Sequence, residues 1–87
     1  MIVDKSIEIE QKVIEICRQV SDSDTETKSK FSLNTEFGIE NGLDSLALMN
    51  IVIEIEMEYA IVLDDYFDQI SNARTIKDLV VIISDIV

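Results

Sequence analysis

Apolar residues recur along the chain in three helical stretches separated by polar runs. Ile9, Val13, Ile16, Cys17 and Val20 follow the i, i+3, i+4 spacing of an amphipathic helix, which predicts a first helix from about Val3 to Val20. Glu8, Lys12 and Glu15 occupy its other faces, and Glu8 precedes Lys12 by four residues, a pairing worth roughly a few tenths of a kcal/mol. The run from Ser21 to Lys30 is polar throughout and predicts a mobile loop with nothing to bury. Phe31, Leu33, Phe37 and Ile39 restore an apolar rhythm too short for a helix, as expected of the second half of a long loop folding back over the core. Asn41-Gly42 is a turn signal, and a second helix is predicted from Ser45 to about Tyr59. Ala60 to Leu63 is a short apolar link. Asp64 to about Gln69 predicts one or two helical turns, with Tyr66, Phe67 and Ile70 facing inward. After the break at Ser71 to Arg74, Thr75 caps the last helix and Asp78 stands at the capping-box position. Ile76, Leu79, Val80 and Ile83 line its inner face. Val81, Ile82, Ile86 and Val87 leave it apolar nearly all round, as in a helix packed on two sides.

The second helix carries more apolar surface than docking requires. With Ser45 at zero and about 100° per residue, Leu48, Ile51, Val52, Ile55 and Tyr59 fall in one arc at roughly 240–340°. Leu46, Met49, Ile53 and Met57 fall in another at roughly 40–120°, while Ala47, Asn50, Glu54 and Glu58 lie between the two on the far side. One stripe docks a helix in a small domain. The second lies beside a serine at the helix N-terminus, as expected of an attachment point shown to other proteins. Asp44 is a good N-cap, because its carboxylate can accept the free N–H groups of the first turn. Ser45 is then at the first helical position, where those N–H groups and the positive end of the helix dipole favour an attached phosphate. Capping alone would account for an Asp-Ser pair; the second stripe tips the balance towards a site.

Charge sharpens this picture. The 87 residues include 18 acids and 7 basic residues, a net charge of −11. Between Phe31 and Ala73 there is no Lys or Arg, while Glu36, Glu40, Asp44, Glu54, Glu56, Glu58, Asp64, Asp65 and Asp68 all fall there. Nucleic acid and anionic membrane are therefore disfavoured as partners, and basic protein surfaces are favoured. Enzyme chemistry has few parts to work with. There is no His, and the lone Cys17 excludes an internal disulfide and a cysteine metal cluster, so it reads as a small apolar helix residue. Asp22, Asp24 and Glu26 resemble the opening of a calcium loop, but Thr27 stands where that loop needs Gly and Leu33 where it needs Glu. The acids at Asp64, Asp65 and Asp68 read as a solvated face, and no metal site is expected.

Gly42-Leu43-Asp44-Ser45-Leu46, with the apolar and acidic helix behind it, resembles the acyl carrier protein family, including its peptidyl and aminoacyl relatives. The resemblance extends through the acidic loop and the last helix, whose Thr75-Ile76-Lys77-Asp78-Leu79 looks like that family's usual opening, and covers roughly Phe37 to Ile86. It implies an all-α, four-helix bundle with a long loop between helices 1 and 2 and a short third helix. It also implies that Ser45 carries 4′-phosphopantetheine, whose thiol holds cargo as a thioester. Asp44 would help hold magnesium while a phosphopantetheinyl transferase delivers the arm. Leu46, Met49, Ile53, Glu56 and Met57 would contact partner enzymes: the transferase, and acyl- or aminoacyl-loading and synthase enzymes with basic docking surfaces. Fatty-acid carriers often place acids two and five residues after the serine, where this chain has Ala47 and Asn50, so a dedicated polyketide or nonribosomal-peptide role stands beside a fatty-acid one. Asp44 in place of the His common in peptidyl carriers leans towards acyl cargo.

The expectation is thus a free-standing, monomeric, cytoplasmic carrier domain spanning residues 1–87, not itself a catalyst. No signal segment opens the chain and no 18-residue apolar run occurs in it. The alternative from another class is an unmodified helical interaction module that binds one partner through the stripe beside Ser45.

Overall fold

A computed structural model describes residues 5–87, and these form helices joined by loops, with no strands among the described residues. The α-helices are α1 (Lys5–Val20), α2 (Thr25–Ser29), α3 (Ser45–Tyr59), α4 (Phe67–Ser71) and α5 (Ile76–Ile86). Short 3-10 turns at Ile39–Asn41 and Asp64–Tyr66 precede α3 and α4. The three long helices and the short one before the last are as expected, although the expected start of the first at Val3 lies outside the described residues. The difference is α2, inside the run read as a mobile loop. Asp24 caps it by accepting the Thr27 N–H at 2.8 Å, and Glu26 pairs with Lys30 at 3.6 Å. A good N-cap followed by Thr-Glu-Thr-Lys allows one helical turn without any apolar face.

The core is built where the spacing placed it. Ile9, Val13, Ile16 and Cys17 of α1 meet Ile51 and Ile55 of α3 and Ile76, Leu79, Val80 and Ile83 of α5, all buried. Each such aliphatic side chain removed from water contributes roughly 1.5–3 kcal/mol. On α5 only Val81 of the outer apolar residues is exposed; Ile82, Ile86 and Val87 pack against the core edge. Lys12 does not serve Glu8. Its ammonium crosses to Glu58 of α3 at 3.0 Å, and that hydrogen bond and charge raise its pKa.

The long loop is held at both ends. From α1, the Arg18 guanidinium donates to the carbonyls of Lys28 at 3.1 Å and Phe31 at 3.3 Å, and Phe31 is buried. Further on, the loop supplies what the start of α5 lacks. The first N–H groups of a helix have no intrahelical acceptor. Here Lys77 donates to the Leu33 carbonyl at 2.9 Å and Ile76 to Thr35 at 3.0 Å. The capping box completes this end: the Asp78 N–H donates to Thr75 Oγ1, and the Asp78 carboxylate accepts the N–H groups of Arg74 and Thr75. Those two N–H groups hold the Asp78 carboxyl below the usual carboxylate range. Among the described residues no helix is long and apolar enough to cross a membrane.

Candidate functional site

The turn that presents α3 depends on a glycine and on a buried serine. Gly42 adopts the left-handed conformation, φ +65°, closing the 3-10 turn so that Gly38 and Leu43 exchange backbone hydrogen bonds at 2.8 and 2.9 Å. Ser21, from the end of α1, reaches this turn. Its hydroxyl donates to the Asn41 carbonyl at 2.7 Å and accepts the Ser23 N–H at 3.1 Å. Ser21 is only 3% exposed, so the polar run does bury something, because the turn needs a hydrogen-bond partner there. The Asn41 side chain donates to the Glu36 carbonyl at 2.8 Å, and buried Leu43 anchors the chain beneath.

From this anchored turn α3 starts as the residue types require. Asp44, in extended conformation, accepts the Ala47 N–H on its carboxylate at 2.9 Å, and its carbonyl accepts the Leu48 N–H at 2.9 Å. The N–H groups of Ser45 and Leu46 have no acceptor within the helix. Ser45 is exposed at the first helical position, and among the described residues no group bonds its hydroxyl.

Two shallow grooves meet at Ser45. One, about 230 Å³, is lined by Leu48, Met49, Val52, Phe67 and Ile70 together with Ser45 and Ser71. The other, about 300 Å³, lies on the loop side against Phe37, Ile39, Leu43 and Ala73. Their walls explain a shift of the α3 core face. The buried residues are Ala47, Ile51 and Ile55, centred near 240° on the wheel, whereas Leu48, Val52 and Tyr59 are only half-buried. Ala47 thus faces the core, not the far side, because Leu48 and Val52 lean out to form groove walls.

Of the residues singled out beforehand, Leu46, Met49, Ile53 and Met57 stand out from the surface at 70%, 51%, 50% and 72% exposure, in one stripe leading away from Ser45. Glu56 is placed differently. It is half-buried, and its carboxylate accepts the Leu63 N–H at 2.8 Å, fixing the link after α3. Glu58 holds Lys12.

Two apolar residues next to Ser45 escaped the sequence reading. Ile39, expected over the core, is 85% exposed, because the tight turn between Gly38 and Gly42 leaves it no inward direction. Phe67, expected to face inward beside Tyr66 and Ile70, is about half exposed and forms a groove wall, since Ile70 alone fills the space beneath α4. An isolated apolar residue in a turn, as at Ile39, was the available signal.

A phosphopantetheine arm fits what is present: an unbonded serine hydroxyl at a helix N-terminus, two N–H groups without acceptors, and an apolar groove alongside. Cys17 could not substitute as a thiol carrier, since burial pushes its pKa up to about 12. No family model matches the chain, and no solved structure matches it. Over 71 residues, 82% of this chain and 87% of the relative, it is 28% identical to an acyl carrier protein of Exiguobacterium sibiricum. With an all-α bundle, this similarity supports a carrier role in general terms.

Proposed function

We propose that the chain is an acyl carrier protein modified at Ser45, delivering a biosynthetic intermediate to partner enzymes of fatty-acid or polyketide type. The observation that carries this reading is the exposed, unbonded Ser45 hydroxyl at the first position of α3, at the meeting of two apolar grooves. The arm would supply a thiol, and with it a thioester that travels. The chain's own residues do the rest. Ser45 Oγ is the nucleophile that attacks the pantetheine-side phosphorus of coenzyme A while a transferase supplies the base that takes its proton; the pyrophosphate P–O bond breaks and adenosine 3′,5′-bisphosphate leaves. The Ser45 and Leu46 N–H groups and the α3 dipole favour the resulting phosphodiester. Asp44 fixes the start of the helix through one carboxylate oxygen and leaves the other for the magnesium that a transferase brings. The groove of Leu48, Met49, Val52, Phe67 and Ile70 gives an apolar cargo a place to shelter from water.

Peptidyl or aminoacyl cargo is a second reading, favoured by one observation. Ala47 and Asn50 stand where fatty-acid carriers often place acids, so the helix is uncharged from Ser45 to Ile53. The test is intact-protein mass after incubation with coenzyme A, magnesium and a broad-specificity phosphopantetheinyl transferase. A gain of one phosphopantetheinyl unit on the wild type, and none on Ser45→Ala, is expected. No gain, with a control carrier fully modified, refutes the carrier reading and leaves an unmodified interaction module.

A further inference from the structure

The five residues of α4 are too few to hold a helix by themselves, and α4 rests on α5 and on the 3-10 turn before it. α3 stands opposite, across the groove that begins at Ser45. Leu48, Met49 and Val52 form one wall of that groove, and Phe67, Ile70 and Ser71 form the other. The spacing of the walls is therefore set by how the chain is fastened on its way from α3 to α4. One residue does most of that fastening. The Glu56 backbone carbonyl accepts the N–H groups of Ala60 and, at 3.1 Å, of Ile61. Its half-buried carboxylate reaches seven residues along the chain and accepts the Leu63 N–H at 2.8 Å. From Leu63 the connection to the groove is continuous. The Leu63 side chain is buried, its carbonyl accepts the Tyr66 N–H at 2.9 Å, and the Asp64 carbonyl accepts the N–H of Phe67, where α4 begins.

We infer that Glu56 is a positioning residue of the cargo groove: by holding the Leu63 N–H, its carboxylate fixes α4 and with it the width of the groove at Ser45. Without that acceptor, a part-buried N–H either stays unpaired or turns outward to water. Turning it carries the 3-10 turn and the Phe67 wall away from α3. The role demands an oxygen at that reach, and the charge is incidental to it. It rests on the carrier reading, since the groove shelters cargo only if Ser45 carries some.

Reach and charge separate in two variants. Glu56→Gln keeps an oxygen at the same reach without the charge, whereas Glu56→Asp keeps the charge on a side chain one methylene too short. An octanoyl group would be loaded with its arm from octanoyl-coenzyme A by a broad-specificity transferase. Its loss to hydroxylamine would be followed by intact mass, with octanoyl-coenzyme A as the unsheltered reference. Wild type and Glu56→Gln should lose it at rates within about twofold, and Glu56→Asp about three- to tenfold faster, the factor by which one lost hydrogen bond raises an opening equilibrium. Ile9→Val, which loosens the core away from the groove, should leave the rate unchanged. In the unmodified chain the Leu63 amide proton should shift upfield in Glu56→Asp and stay in place in Glu56→Gln. The inference is overturned, and the carrier reading left intact, if Glu56→Asp brings no acceleration, or if Glu56→Gln or Ile9→Val matches it. A wild type that loses octanoyl as fast as octanoyl-coenzyme A does so too. No loading of wild type, with a control carrier fully loaded, removes both.

Discussion

Replacing Gly42 with alanine tests how the site is anchored, and the structure sets the magnitude. An added Cβ would lie 2.5 Å from Ser21 Oγ, 2.6 Å from Asp22 Oδ1 and 2.7 Å from Ser23 Oγ. Alanine at φ +65° costs roughly 1–2 kcal/mol from its own backbone. Asp22 and Ser23 lie towards solvent and can turn away, but Ser21 is buried and can move only by releasing the Asn41 carbonyl. A buried hydroxyl and carbonyl left unpaired cost roughly 1–3 kcal/mol more. The expected loss is therefore about 2–5 kcal/mol, against the roughly 5–15 kcal/mol by which native domains are stable at 25 °C. Urea unfolding followed by far-ultraviolet circular dichroism should show a lower midpoint at unchanged slope. Ser21→Ala removes the nearest obstruction and also the bond, so Gly42→Ala in that background should cost only the backbone part. The double variant should then lie well short of the sum. A Gly42→Ala loss below about 1 kcal/mol, or simple additivity, would refute the idea that Ser21 is the clamp.

Three further outcomes follow from single features. Ala60 ends α3 at φ +53°, a conformation that favours glycine, so Ala60→Gly should raise stability by roughly 0.5–1 kcal/mol in the same urea assay. Burial pushes the Cys17 pKa up to about 12, so the fold favours the neutral thiol; stability is complete below the unfolded thiol's pKa near 9.0 and is lost as pH rises towards 12. Cys17→Ala should flatten the alkaline limb of a stability–pH profile, and native Cys17 should react with a thiol reagent only as fast as the protein unfolds. Asp44→Asn keeps a capping oxygen and should leave the melting temperature nearly unchanged, whereas Asp44→Ala should cost about 1 kcal/mol. If the carboxylate charge also serves the transferase, both variants lose modification rate; a normal rate for Asp44→Asn would confine Asp44 to capping.

Much of the fold was legible because long helices announce themselves by period. The inner faces of α1 and α5 were readable residue by residue, as was the capping box at Thr75 and Asp78. The same period misplaced Ala47 and Phe67, because a wheel gives angles but not the width of the space each angle faces. The loop was the least legible part. Its order comes from long-range backbone bonds, such as Lys77 to Leu33 and Phe37 to Arg74, which leave no periodic trace. The Ser21 hydroxyl is of this kind too: a serine in a polar run looks solvated until the turn it supports, 20 residues later, is in place. The place of Ser45 at the start of α3 was legible because helix-start chemistry is local, and the pairing of Glu58 with Lys12 was not, because it joins two helices.

On α3 the residues that hold the fold and the residues that stand exposed beside Ser45 are different ones. Ala47, Ile51 and Ile55 face the core, and Glu56 and Glu58 tie the far half of the helix to the following link and to α1. The stripe of Leu46, Met49, Ile53 and Met57 contributes little to either task, since its side chains are at least half exposed and keep much of their water. Truncating any one of them to alanine should cost no more than about 1 kcal/mol, well below the roughly 2–5 kcal/mol of a core truncation. A side chain kept large and apolar without stabilising the fold needs another explanation, and contact with a partner supplies one. If Met49→Ala instead lost several kcal/mol in urea, the stripe would be part of the packing. The exposed side chains would then owe their size to the fold, and Ser45 would stand in an ordinary helix start with no surface built around it.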